Sequence, residues 1–123
     1  MQLQTATVAI IDDDFRVLES LEELFASGGY DVQLHASAEE FLGSPSIDNI
    51  NCLISDIGLP GLNGIELLVL LRAQRRALPV ILITACREEQ ILRRAIDSGA
   101  RFVFVKPFDA EALLEAVAKV LGN

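Results

Sequence analysis

The chain has 123 residues, 51% of them hydrophobic, which is enough apolar material for one packed core. With 18 acidic against 10 basic residues, its formal charge of −8 disfavours direct binding of nucleic acid or of an anionic membrane, since both need clustered cations. Its two cysteines form no CxxC pair, and the chain has no signal peptide pattern and no long apolar span. We therefore expect a single cytoplasmic domain over residues 1–123, with no disulfide framework, zinc site or membrane span.

Short apolar runs alternate with segments of helical period along the chain. Strands are predicted at 7–11, 31–36, 51–55, 79–84 and 101–105, and helices near 14–27, 37–43, 64–75, 87–98 and 109–121. The polar stretch 44–51 predicts the longest loop. Five β-then-α units with short connections indicate a parallel sheet with helices on both faces, a doubly wound (βα)5 three-layer sandwich of the α/β class.

Several local signals support these helix boundaries. Ser37 followed by Glu40 is typical of a capping box at the start of the second helix. Gly28, Gly43 and Gly99 stand where the first, second and fourth helices should end.

Polar side chains stand at the ends of four predicted strands. Asp12 and Asp13 follow the first strand, Asp56 the third and Lys106 the fifth, while Thr84 ends the fourth. One such residue alone is most often a solvated loop residue. In open parallel sheets, however, ligands bind outside the carboxyl ends of the strands, so the joint occurrence predicts a binding site at this edge.

The triplet of carboxylates at 12–14 indicates the chemistry of that site. Adjacent carboxylates repel one another unless a cation lies nearby. Mg²⁺ prefers oxygen ligands and keeps several of its waters, so two or three carboxylates and a carbonyl would suit it. Lys106 is flanked by the apolar run "FVFV" and by Pro107, which favours an anchored cation at a buried strand end over a solvated one.

The segments "IIDDD", "SDIGLPGLNGIELL", "ILITA" and "FVKPF", in this order and spacing, resemble the receiver domain of bacterial two-component response regulators over about residues 7–121. The resemblance implies a flavodoxin-like fold whose parallel five-stranded sheet has the order 2-1-3-4-5. It also implies that Asp56 accepts a phosphoryl group from a sensor histidine kinase, with Thr84 and Lys106 contacting the phosphoryl oxygens. Such a chain is a signalling domain rather than an enzyme, although it assists its own phosphorylation and dephosphorylation.

The same resemblance implies the ligands of the metal and the output. Mg²⁺ would be held by Asp13, Asp56 and the backbone carbonyl of Gly58, with Asp12 acting largely through water. The phrasing "SAEEFL" and "LPGLNGIELL" looks like that of receivers joined to helix-turn-helix DNA-binding domains, which implies control of transcription. A cis bond between Lys106 and Pro107 is also implied.

One position departs from the family pattern. Receivers commonly carry Tyr or Phe three residues before the lysine, where this chain has Val103. Because side chains alternate along a strand, Phe102 and Phe104 should face the opposite side of the sheet and cannot replace that aromatic ring. We therefore expect the loop after Thr84 and the fourth helix to carry the activating change. Because the family uses the face of its fourth helix, fifth strand and fifth helix for pairing, the resemblance also implies that phosphorylation favours a homodimer through residues 87–121.

Three alternatives remain beside this interpretation. A phosphatase using the "DxD" within "DDD" would leave Asp56 and Thr84 unexplained and would lack a cap domain. A nucleotide-binding module would need a glycine-rich phosphate motif after a strand, and the sequence contains none. A receiver-like interaction module that works without phosphorylation is disfavoured by the intact set of site residues and mildly favoured by Val103.

Overall fold

The computed structural model describes residues 5–74 and 77–122. Its strands are β1 (Thr7–Ile11), β2 (Asp31–His35), β3 (Cys52–Asp56), β4 (Val80–Thr84) and β5 (Phe102–Val105). Its α-helices are α1 (Phe15–Ser27), α2 (Ala38–Leu42), α3 (Gly64–Gln74), α4 (Glu89–Asp97) and α5 (Ala110–Val120). The predicted strand and helix alternation is confirmed, and residue 75 of the predicted third helix lies outside the described residues.

The five strands pair in parallel in the order β2-β1-β3-β4-β5, which confirms the predicted fold class and topology. The register pairs Asp56 of β3 with Ile83 of β4, and Thr84 of β4 with Val105 of β5. The residues that end neighbouring strands therefore lie side by side along a single edge of the sheet.

Each face of the sheet is covered by its own hydrophobic cluster. Ala9, Leu53 and Leu82 pack on the side of α2, α3 and α4, whereas Ile10 and Ile81 pack on the side of α1 and α5. Both faces are therefore dry, which explains why β1, β3 and β4 are nearly continuous apolar runs in the sequence.

The predicted alternation along β5 is confirmed. Val103 packs against the cluster on the α4 side, while Phe102 and Phe104 pack in the cluster on the other face. No aromatic ring of β5 therefore faces α4 in the described structure, and Val103 occupies that position as a small packing residue.

Local differences from the predicted boundaries have identifiable causes. The predicted loop 44–51 contains a short 3-10 helix at Ile47–Asn49. Strand β3 runs one residue further than predicted, because the Ile57 amide donates to the Ile83 carbonyl at 2.8 Å and continues the ladder past Ser55. Helix α4 begins two residues later than predicted, because Glu88 keeps extended backbone angles.

The end of α4 is joined to α3 by an arginine. Arg72 donates from Nη1 to the carbonyl of Leu78 at 2.9 Å and from Nη2 to the carbonyl of Gly99 at 3.1 Å. Gly99 has a φ of +111°, and a Cβ there would lie 2.9 Å from Arg72 Nε. The glycine thus lets the guanidinium approach the turn that follows α4. Within the described ranges, no helix is both long and apolar enough to cross a membrane.

Candidate functional site

The carboxyl edge of the sheet brings the predicted site residues together. Asp12, Asp56 and Thr84 are buried, with exposed fractions of 3%, 9% and 3%, while Asp13 is exposed. The Lys106 ammonium lies 3.4 Å from Asp12 Oδ2 and 3.8 Å from Asp56 Oδ2. The end of β5 therefore supplies a cation to carboxylates that follow β1 and end β3.

The triplet at 12–14 is divided between two tasks. Carboxylate oxygens of Asp12, Asp13 and Asp56 all lie within 4.8 Å of one another. Asp14 instead caps α1, accepting a hydrogen bond from the Arg16 amide at 3.0 Å, and its own amide donates to Asp12 Oδ1 at 2.9 Å. The Asp14 backbone amide thus holds the buried Asp12 carboxylate, while the Asp14 side chain caps the helix and stays out of the cluster.

The electrostatics of the cluster match a bound cation. Burial raises the pKa of Asp56, and the neighbouring Asp12 carboxylate raises it further, although the Lys106 ammonium and the Gly58 amide act in the opposite direction. One lysine therefore does not compensate the clustered negative charge. Convergent carboxylate oxygens with an unbalanced charge are a donor set that suits Mg²⁺, a hard cation that takes oxygen ligands.

Thr84 ends β4 and is linked to the loop that precedes α4. Its Oγ1 accepts a hydrogen bond from the Cys86 amide at 2.9 Å, and Cys86 Sγ lies 3.6 Å from Glu88 Oε1. The Thr84 hydroxyl thus joins that loop to the edge of the sheet that carries the site residues. The bond between Lys106 and Pro107 is cis, as the resemblance implied.

The loop between β3 and α3 approaches Asp56 closely at one glycine. A Cβ on Gly64 would lie 2.5 Å from the Asp56 carbonyl oxygen and 2.9 Å from Ile57 Cα, so only glycine fits where α3 begins. A Cβ on Gly58 would meet no atom within 4 Å. Space beside Asp56 is therefore open on the Gly58 side.

One contact to this loop comes from a residue to which sequence reasoning gave no role. Glu39 of α2 accepts a hydrogen bond from the Leu62 amide at its Oε2, at 2.8 Å. The two residues are 23 positions apart and the contact is exposed to solvent. An acidic residue in the first turn of a helix is common, and nothing in the sequence pattern pairs it with a distant loop.

Comparison with known proteins places this geometry in a family. The family model described as "Response regulator receiver domain" matches residues 8–118. The chain is 36% identical over 120 residues to the transcriptional regulatory protein FixJ of Azorhizobium caulinodans, covering 98% of this chain and 57% of FixJ. It is also 36% identical over 114 residues to the response regulator protein FleR of Pseudomonas aeruginosa, covering 93% of this chain and 24% of FleR.

The fold comparison agrees. A putative response regulator from Chloroflexus aurantiacus superposes with a TM-score of 0.86 at 31% identity, covering 98% of this chain and 100% of that one. The chemotaxis response regulator CheY4 of Vibrio cholerae gives a TM-score of 0.86 at 26% identity, covering 96% of this chain and 100% of that one. The family suggested by the sequence is confirmed: the chain belongs to the response regulator receiver domains.

Proposed function

We propose that this chain is a cytoplasmic, phosphorylation-activated switch whose Asp56 accepts a phosphoryl group from a sensor histidine kinase. Residues 1–123 would act as a single phosphoacceptor domain. The observation that carries the proposal is the convergence of Lys106 with Asp12 and Asp56, at 3.4 and 3.8 Å, on the edge where parallel sheets bind ligands.

The donor set supports Mg²⁺ as the cofactor. Asp13, Asp56 and the backbone carbonyl of Gly58 would hold the ion directly, and Asp12 would act largely through water. When bound, Mg²⁺ would neutralise part of the carboxylate charge and orient the phosphoryl oxygens.

The side chains of the site have distinct tasks in the transfer. A carboxylate oxygen of Asp56 forms the new bond to phosphorus as the bond from phosphorus to the donor breaks, and the donor keeps that electron pair. The Lys106 ammonium, held between two carboxylates, stabilises the negative charge on the phosphoryl oxygens. Thr84 can donate its hydroxyl proton to a phosphoryl oxygen while its oxygen still accepts from the Cys86 amide.

Intact mass after incubation with Mg²⁺ and a small phosphodonor tests this function. The native chain should gain one phosphoryl group and the Asp56→Ala variant none. Asp14→Ala is the matched control, because it removes a neighbouring carboxylate that caps α1 and should leave the labelling intact. Labelling of Asp56→Ala at the native rate would show that another residue is the acceptor.

The metal assignment has its own test. Calorimetric titration with Mg²⁺ should show much weaker binding to Asp13→Ala than to the native chain, because two carboxylates and a carbonyl are about the minimum protein contribution for such an ion. Undiminished affinity would remove Asp13 from the ligand set.

We also propose that phosphorylation favours a homodimer through residues 87–121, and that the output is control of transcription through a DNA-binding partner domain, without direct DNA contact by this one. Ile96 on α4 is 51% exposed, and Arg93 pairs with Glu89 on the same helix at 3.7 Å. Such a patch of apolar and mixed-charge residues can meet a second copy of itself. The coupling between phosphorylation and dimerisation would be about 1–3 kcal/mol.

Sedimentation with and without a phosphoryl mimic and Mg²⁺ tests the dimer. The mimic should lower the monomer fraction, and Ile96→Asp should prevent this. Ile96 is a better position for this substitution than Ile91 on the same helix, because Ile91 packs partly against the core. A monomer fraction that the mimic leaves unchanged would defeat the dimer proposal.

The second candidate is an interaction module that works without phosphorylation, and one observation favours it. Val103 packs in the core on the α4 side, where the family commonly carries an aromatic ring. This candidate requires that the native chain gain no phosphoryl group in the mass experiment.

A further inference from the structure

The loop from Ile57 to Asn63 carries Gly58, and its two ends are firmly held. At the first end, the Ile57 amide donates to the Ile83 carbonyl at 2.8 Å, and the Ile57 carbonyl accepts from the Gly64 amide at 3.0 Å. At the second, Asn63 and Glu66 exchange reciprocal hydrogen bonds of 2.9 Å that begin α3. Between these ends, the loop is tied to another element at the Leu62 amide, which donates to Glu39.

Glu39 approaches the loop from a well-anchored helix. Ser37 caps α2 by accepting from the Glu40 amide at 3.0 Å, and Glu40 Oε1 accepts from the Ala36 amide at 3.0 Å. Phe41 of the same helix is fully buried. The Glu39 carboxylate thus extends from a fixed base, although the side chain itself is exposed.

The loop is shaped to receive that carboxylate. Gly61 has a φ of +73°, and a Cβ there would lie 2.7 Å from Glu39 Oε2, so the approach depends on the glycine. The Leu62 hydrogen bond lowers the pKa of Glu39, so the group is ionised at neutral pH and the contact is charge-assisted.

We propose that Glu39 is a positioning residue for the Mg²⁺ site, holding the loop of residues 58–62 and with it the backbone carbonyl of Gly58. The inference rests on the proposed function, in which that carbonyl is a ligand. Residues that orient metal ligands typically change metal affinity by about 10–100-fold when removed. Because this contact is exposed and acts through four residues of loop, the effect should fall at about tenfold, the lower end of that range.

Calorimetric titration with Mg²⁺ alone measures the effect without any phosphoryl transfer. Glu39→Ala should weaken Mg²⁺ binding about tenfold. Glu39→Gln, which keeps an acceptor oxygen but loses the charge, should recover most of the native affinity. Glu40→Gln is the matched control, since it removes the same charge from the adjacent position on α2 but keeps an acceptor for the Ala36 amide, and it should bind Mg²⁺ nearly as the native chain does.

Amide hydrogen exchange in the metal-free protein gives a second readout. The Leu62 amide should exchange faster in Glu39→Ala than in the native chain, while amides of β3 should be unchanged. Thermal unfolding of each variant verifies that the fold is retained. If Glu39→Ala is poorly folded, Glu39→Asp replaces it, because its shorter side chain withdraws the carboxylate from the Leu62 amide and should cause the same loss of Mg²⁺ affinity.

Unchanged Mg²⁺ affinity in Glu39→Ala would overturn the inference, and so would an equal loss in Glu40→Gln, which would indicate a general charge effect. Either result would leave the proposed function standing if the native chain still gains a phosphoryl group. Conversely, a native chain that binds Mg²⁺ but gains no phosphoryl group would defeat the proposed function, and the affinities of the Glu39 variants would still decide this inference.

Discussion

Helices α3 and α4 follow neighbouring strands on the same edge of the sheet, yet they are attached in different ways. Helix α3 buries Gly64, Ile65, Leu67, Leu68 and Leu71. Helix α4 buries only Ala95, and the side chain of its N-cap residue Glu88 makes no capping hydrogen bond to the first turn. The backbone at the start of α3 touches the end of β3, whereas α4 is preceded by an extended segment.

The difference separates two requirements of a switch. A group that accepts a phosphoryl group needs fixed geometry, and Asp56, the proposed acceptor, lies on the side held by α3. An element that responds needs a low free energy of local rearrangement, which follows from few buried apolar contacts. Thr84 lies at the start of the connection to α4, the helix with that property. The two sides of the site edge are thus suited to different tasks.

The largest expected effect comes from the contact that fixes α3. In Gly64→Ala the new Cβ would meet backbone atoms of Asp56 and Ile57 that cannot move aside, so unfolding should be easier by more than about 3 kcal/mol. Gly58→Ala, six residues earlier, adds the same methyl group to open space and should change stability by less than about 0.5 kcal/mol. Chemical denaturation measures both, and similar losses would mean that the start of α3 is not the fixed point.

Truncation of one apolar residue on each helix compares their attachment directly. Leu67 on α3 is fully buried, and Leu67→Ala should cost about 3 kcal/mol. Ile91 on α4 is only partly buried, and Ile91→Ala should cost about 1 kcal/mol. Denaturant midpoints at equal m-values give the two losses. An equal cost would mean that α4 is held as firmly as α3.

A rigid edge cannot relax to relieve repulsion among its carboxylates. Since the pKa of Asp56 is raised from its ordinary value of 3.8, the folded metal-free protein binds this proton more tightly than the unfolded chain does. Protonation of Asp56 therefore contributes stability that is fully present below pH 3.8. This contribution is lost as the pH rises through the pKa that Asp56 has in the folded protein.

Asp56→Asn should consequently raise the Tm of the metal-free protein by a few degrees at neutral pH, and the gain should shrink in acid. Asp13→Asn, at an exposed carboxylate, should raise the Tm less. Scanning calorimetry over a pH series measures both. A gain for Asp56→Asn that grows in acid would mean that folding lowers the pKa of Asp56 instead of raising it.

The smallest expected effect concerns the missing cap of α4. Glu88→Ser would supply a side-chain oxygen to the first turn of the helix and should stabilise the protein by about 0.5–1 kcal/mol. If α4 is the responding element, the same change should also slow amide exchange in its first turn. No slowing in that turn would show that its N-terminus is already well ordered.

Much of this architecture follows from the sequence because its causes are local or periodic. Strands buried on both faces appear as apolar runs, and the strand-end rule brings Asp56, Thr84 and Lys106 to one edge without any knowledge of distances. The short 3-10 helix at Ile47–Asn49 was missed, because three residues are too few to show a period.

Other features depend on tertiary contacts that sequence patterns do not encode. The cap of α1 is a local exception, since Asp before a helix is a common N-cap, but the three identical residues at 12–14 do not show which of them leaves the cluster. The contact of Glu39 with Leu62 requires the position of α2 over a loop that lies 23 residues further along the chain. Neither the amphipathic pattern nor a motif carries that information.

The two hydrogen bonds of Arg72 determine how α4 can move. One of them holds the Gly99 carbonyl at the carboxyl end of the helix, and the other holds the Leu78 carbonyl before β4, so we expect a rigid displacement of α4 to become a rotation about its carboxyl end. Nine residues span about 13 Å, and a rotation of about 10° would shift the opposite end by about 2 Å while the end at Gly99 barely moves. The displacement of the helix is therefore smallest at Gly99 and largest beside Cys86, the residue whose amide donates to Thr84.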